Sequence, residues 1–202
     1  MKFNQLFFVI SAATALMAPT CASAAAIHDA ARRGDIAAVM QMLDEGTGIE
    51  DRDDTSETPL LAAALGGHSR LVVNLLMRGA DATARNDRGM TVLHAAAFAG
   101  DVQSVKWLIS AGADPEAADN KFGVTPFIVA AEEDRLKVVS YFIGLGAKLE
   151  ITERHGYTAL SRAGYQGHDE VIALLLKAGA ACQEADPFWL KDCTAHKAAL
   201  GL

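Results

Sequence analysis

A period of about 33 residues constrains this chain more than any other feature. Matching apolar residues stand at Ile27, Leu60, Leu93, Phe127 and Leu160, spaced by 33, 33, 34 and 33. Seven residues after each come Gly34, Gly67, Gly100, Asp134 and Gly167. Further on come Gly46-Thr47, Gly79-Ala80, Gly112-Ala113, Gly146-Ala147 and Gly179-Ala180. Three markers kept in phase over five copies define a repeat array. No unit this short buries its own apolar face, so neighbouring copies must stack along one continuous core.

Asp87 to Pro115 is the clearest copy and reads as two short helices and a turn. Thr91 is placed to cap a helix by accepting from a free backbone N–H. Val92 to Ala99 forms that helix, and Ala95, Ala96 and Ala97 keep it thin. Gly100 ends it, because glycine takes the left-handed cap conformation at no steric cost. Val102 to Ala111 forms the second helix, with Val105, Leu108 and Ile109 facing inward, and Gly112 ends it. Asp134 replaces the first glycine in the fourth copy, and Asp visits left-handed geometry more readily than most residues. The low aromatic content, 6%, and the abundant alanine suit thin, close-packed helices.

These residues carry a resemblance. The period, Thr58-Pro59-Leu60, Thr91-Val92-Leu93-His94-Ala95-Ala96, Thr125-Pro126 and the endings Leu75-Leu76 … Gly79-Ala80-Asp81 make the chain similar to ankyrin repeats over about 25–181. The resemblance implies an all-α solenoid of about five helix-turn-helix units with projecting turns. The copies fall at about 25–54, 55–86, 87–120, 121–154 and 155–181. Ser56 stands where a turn glycine is usual, and Ile128 where a histidine is usual. His28 and His94 occupy the histidine position, which in the family bonds neighbouring backbone.

The ends depart from the pattern. Lys2, the apolar run Leu6 to Ala18, Pro19 and the small residues Ala22-Ser23-Ala24 have the layout of a secretory signal, cut after Ala24. The run is shorter than the roughly 18 to 20 residues of a membrane span. Residues 1–24 are therefore expected to be a signal peptide. An uncut anchor and a lipoprotein on Cys21 are the alternatives. Cleavage implies a periplasmic or secreted protein with no stable membrane insertion. At the other end, 182–202 reads as a capping helix with Asp186 as N-cap, Pro187 at the first position, and Trp189, Cys193, His196 and Leu200 at helical spacing. Cys182 and Cys193 form a disulfide in an oxidising compartment, or remain two buried thiols.

Chemistry is sparse. The formal charge of −7 and the lack of a basic run argue against nucleic acid. No nucleophile elbow, zinc helix or phosphate loop is present, and no cofactor or metal is expected. Glu132 and Glu133 are adjacent on a helix and point about 100° apart, so they do not converge on one atom. A small hydrolase built on His155 is the weakest reading.

Binding is the leading one. In the family, ligands meet the turn tips and the exposed side of the first helices. Those positions here hold Arg32, Arg33, Leu65, Phe98, Glu132, Glu133 and Tyr165 on helices, and Arg88, Met90, Phe122, Val124, His155 and Tyr157 on turns. The expected function is non-enzymatic binding of another protein. An inhibitor or immunity protein against a periplasm-acting enzyme is the alternative. Aromatic residues with a polar rim are typical of binding hot spots, although Phe98 and Phe122 packing on one another would also explain them. Trp107 is expected in the core between second helices.

Overall fold

The computed structural model describes residues 21–118, 120–183 and 187–202. Most of the expected signal segment, and Asp186, lie outside the described residues. Among the described residues ten helices pair in succession: α1 (Cys21–Arg33) with α2 (Ile36–Asp44), α3 (Pro59–Leu65) with α4 (Ser69–Met77), α5 (Val92–Ala99) with α6 (Val102–Ser110), α7 (Pro126–Glu132) with α8 (Leu136–Gly144), and α9 (Ala159–Gln166) with α10 (Asp169–Lys177). A final helix, α11 (Pro187–Ala199), follows. No strand occurs among the described residues, only an isolated antiparallel bridge between Arg85 and Thr91. The chain is an all-α solenoid.

The helices form for local reasons. Thr58, Thr91, Thr125 and Thr158 each accept from the backbone N–H three residues on, and so cap α3, α5, α7 and α9. Gly100 ends α5 in left-handed geometry, φ 78°. Asp134 does the same after α7 at φ 56°, as its sequence position requires.

Two helical layers result. First helices stack α1 on α3, α3 on α5, α5 on α7 and α7 on α9, and second helices α4, α6, α8 and α10 stack behind them. Ile27, Leu60, Leu93, Phe127 and Leu160 are all buried in one core running the length of the array. Trp107 departs from expectation: on α6 it keeps 43% of its surface in water, because Ser104, Val105 and Leu108 take the inward face.

Two hydrogen-bond series brace the array. His68 Nε2 donates to the Arg32 carbonyl (2.8 Å), Arg135 Nε to the Phe98 carbonyl (2.7 Å) and His168 Nε2 to the Glu132 carbonyl (2.8 Å). Each donor sits at one repeat position and each acceptor at another, one copy earlier. The second series runs from the first-helix histidines. His94 Nε2 donates to the Val124 carbonyl of the next copy (2.9 Å), whereas His28 Nε2 donates to the Asp51 carbonyl near the end of its own copy (3.0 Å). Burial pushes the His94 imidazole down to about 4, against the pull of the Val124 carbonyl, so it is neutral at pH 7.

At the C-terminus α11 packs on α9 and α10. Cys182 and Cys193 are bonded, with an S–S distance of 2.03 Å. The Trp189 ring lies on Gly164 so closely that a Cβ there has no room.

Candidate functional site

The projecting turns are rigid because one side chain braces each of them. Asp53, Asn86, Asn120 and Glu153 stand at one repeat position and accept from the N–H groups two and four residues on. Asn86 Oδ1 takes Arg88 and Met90 (3.1 and 3.0 Å), and Asn120 Oδ1 takes Phe122 and Val124 (3.1 Å each). Asp53 takes Thr55 and Glu57, and Glu153 takes His155 and Tyr157. Burial pushes the Asp53 carboxyl up, but the Thr55 hydroxyl, the Glu57 and Thr55 N–H groups and Arg32 together hold it down at about 2. Glu153 is likewise lowered: burial opposes ionisation, and the His155 backbone and ring and the Tyr157 N–H overcome it. Each turn also needs one left-handed residue. Ser56 supplies it at φ 61° where Gly89, Gly123 and Gly156 serve elsewhere.

Between the turn tips and the first helices, two cavities adjoin in the middle of the array. The first, about 250 Å³, is walled by Leu61, Leu65, Met90, Ala95, Phe98 and Phe122, with Glu57 and Arg88 at its polar edge. The second, about 320 Å³, shares Met90, Phe98, Phe122 and Val129, and adds Glu132, Glu133, His155 and Arg162. Together they form one groove with an apolar floor. Phe98 and Phe122 leave 42% and 46% of their surface exposed. No ring contact joins them among those the structure forms. The Arg135 bond to the Phe98 carbonyl and the Asn120 bond to the Phe122 N–H fix the backbone under both rings.

Of the residues singled out from sequence, the groove gathers Leu65, Arg88, Met90, Phe98, Phe122, Val124, Glu132, Glu133 and His155. The other four lie apart from its lining. Arg32 is engaged by Asp53 (2.7 Å) and Glu57 (2.8 Å), and Glu57 above all raises its pKa. Arg33 is exposed at the end of α1. Tyr157 and Tyr165 meet edge to face at 5.3 Å, and Arg162 lies 5.2 Å over the Tyr157 ring. Val124, placed at a ligand-facing turn from sequence, is mostly buried but lines the second cavity, and its carbonyl serves His94 and Asn120.

Sequence reasoning missed Arg162, which bridges Glu132 (3.2 Å) and Glu153 (3.3 Å) across two copies. It also missed the turn braces, although Asp53, Asn86, Asn120 and Glu153 recur at spacings of 33, 34 and 33. Their identities differ from copy to copy, which hides the shared task of accepting two N–H groups.

The chemical content of the groove is modest. His155 Nδ1 contacts Glu153 (2.9 Å), whose carboxylate is already engaged by backbone N–H groups and Arg162. No serine, threonine or cysteine lines the second cavity beside it. Among the described residues no group of His, Cys, Asp and Glu is placed to hold a metal ion. No described helix is long and apolar enough to cross a membrane.

A family model described as ankyrin repeats (3 copies) matches the chain over residues 27–119 and again over 114–186. No curated protein matches it.

Proposed function

From the premise that this chain belongs to the ankyrin-repeat family, we propose that it binds a protein partner through the groove between its second, third and fourth turn tips and the first helices. Ankyrin repeats mark the chain as a protein–protein interaction module. The observation that carries the finer reading is the exposed apolar floor of Met90, Phe98 and Phe122, shared by two cavities and rimmed by charge. The fold has no need of these side chains in water. A preformed floor of large rings on fixed backbone costs little entropy on binding, which is what a hot spot requires.

The reading includes a place of action. The signal-like residues 1–24 and the Cys182–Cys193 bond both favour an oxidising compartment, the periplasm or outside the cell.

The test is cross-linking of purified protein to periplasmic extract, comparing wild type with Phe98→Ala plus Phe122→Ala. A specific adduct formed by wild type is expected to be lost in the double variant. Equal adducts from both proteins, with the variant folded by circular dichroism, would sink the groove reading. N-terminal sequencing of the exported protein is expected to begin at Ala25.

A further inference from the structure

Charges along the groove fall into two sets. Glu57 is engaged by Arg32, and Glu132 by Arg162. Glu153 is consumed by backbone N–H groups, His155 and Arg162. Two side chains stand outside this scheme. Among the described residues, neither the Arg88 guanidinium nor the Glu133 carboxylate has a hydrogen-bonded or ion-paired partner.

Their positions are complementary. Arg88 edges the first cavity and Glu133 the second, while Met90, Phe98 and Phe122 belong to both. The apolar floor therefore lies between one unpaired cation and one unpaired anion. The Arg88 main chain is pinned at both ends, its N–H on Asn86 and its carbonyl on the Lys121 N–H (3.0 Å). Glu133 is the C-cap of α7. The last carbonyls of a helix carry partial negative charge, so a carboxylate there is unfavourable and an incoming cation is doubly welcome. Glu132 beside it is already offset by Arg162, and Glu133 is not.

We infer that the groove receives a polypeptide segment bearing one large apolar side chain, flanked by a carboxylate on one side and a cation on the other. The apolar group fills the floor over Phe98 and Phe122. The carboxylate meets Arg88, for which a guanidinium fork is well shaped. The cation meets Glu133 and the end of α7. This specificity rests on the groove reading above and goes beyond it by naming the charge pattern of the partner. A polyanion is disfavoured by Glu132 and Glu133, and a purely basic segment by Arg88, since like charges brought together at an interface are costly.

The probe is a random peptide library displayed on phage, selected separately on wild type, Arg88→Glu, Glu133→Lys and Phe98→Ala. The Arg88 and Glu133 side chains have no partner among the described residues, so the first two variants are expected to keep the fold, which melting curves check. Wild type is expected to enrich peptides with an acid, an apolar residue and a base in that pattern. Arg88→Glu should replace the acid by a base, and Glu133→Lys the base by an acid. A synthetic wild-type-selected peptide should lose roughly tenfold in affinity on either charge variant and regain it when its own charge is swapped. Peptides that need Phe98 but ignore both charge reversals overturn this inference and leave the groove reading standing. Peptides indifferent to Phe98→Ala, or no enrichment on wild type, overturn both.

Discussion

The third and fifth copies place the same kinds of residue at the same positions and put them to opposite use. Phe98 and Tyr165 occupy one repeat position, Met90 and Tyr157 another. In the fifth copy the two tyrosines meet edge to face, Arg162 lies over Tyr157, and Gln183 from the following segment accepts from Ser161 Oγ (2.9 Å). In the third copy no ring among the described residues pairs with Phe98, which lies beside Phe122 on the same groove. Phe98 and Tyr165 are alike in exposure, 42% and 49%, and differ in pairing: Tyr165 rests on Tyr157 and Phe98 on no ring among the described residues. An aromatic residue at a ligand-facing position is thus a candidate anchor only when its neighbours leave it unsatisfied.

The comparison can be broken in three ways. The largest effect concerns the buried contact under the groove. The His94 imidazole titrates near 4 when folded and near 6.5 when unfolded. Between those values the unfolded chain takes up a proton that the folded chain refuses. Stability is therefore intact above about pH 6.5, falls as pH drops toward 4, and loses up to about 3 kcal/mol through this group. Urea titrations across that window are expected to show the slope in wild type and a flatter profile in His94→Gln, whose intrinsic stability is lower. Asp53 contributes separately, its share being lost only from about pH 4 down toward 2.

The second concerns the C-terminal end. Cys182→Ser with Cys193→Ser opens an eleven-residue loop, at a cost of about 2–3 kcal/mol. Amide hydrogen exchange should then rise in α9, α10 and α11 and stay unchanged in α5 and α7, since stability in a repeat array is local. Groove binding should survive. Loss of binding in this variant would show that the two ends are coupled.

The smallest is the direct exchange of roles. Tyr165→Ala is expected to cost roughly 1 kcal/mol of stability, the worth of an aromatic pair, and to leave partner affinity intact. Phe98→Ala is expected to change stability less and to weaken binding by about 2 kcal/mol. Calorimetric melting and titration of both variants separate these outcomes.

Much of the fold was legible because stacking imposes the same demand every 33 residues. Leu60, Leu93 and Leu160 each fill the same hole, and the threonine caps and left-handed residues answer a backbone requirement that does not depend on neighbours. The groove was legible in part. Met90, Phe98 and Phe122 stood out because they do not recur and the fold does not ask for them. Tyr157 and Tyr165 stood out for the same reason, and the pattern had no means of telling the two groups apart.

What the amino-acid order determined alone was therefore everything periodic: the helix pairs, their ends, the buried strip and the positions that project. What the tertiary structure decided was which projecting groups are already spoken for. Arg32 is taken by Asp53 and Glu57, Glu132 by Arg162, and Tyr165 by Tyr157, while among the described residues Arg88 and Glu133 are left over. The physical reason is that such partnerships form between side chains of different copies or across a helix and its turn. Their energies depend on a few ångströms of separation and on burial, neither of which a repeat period encodes.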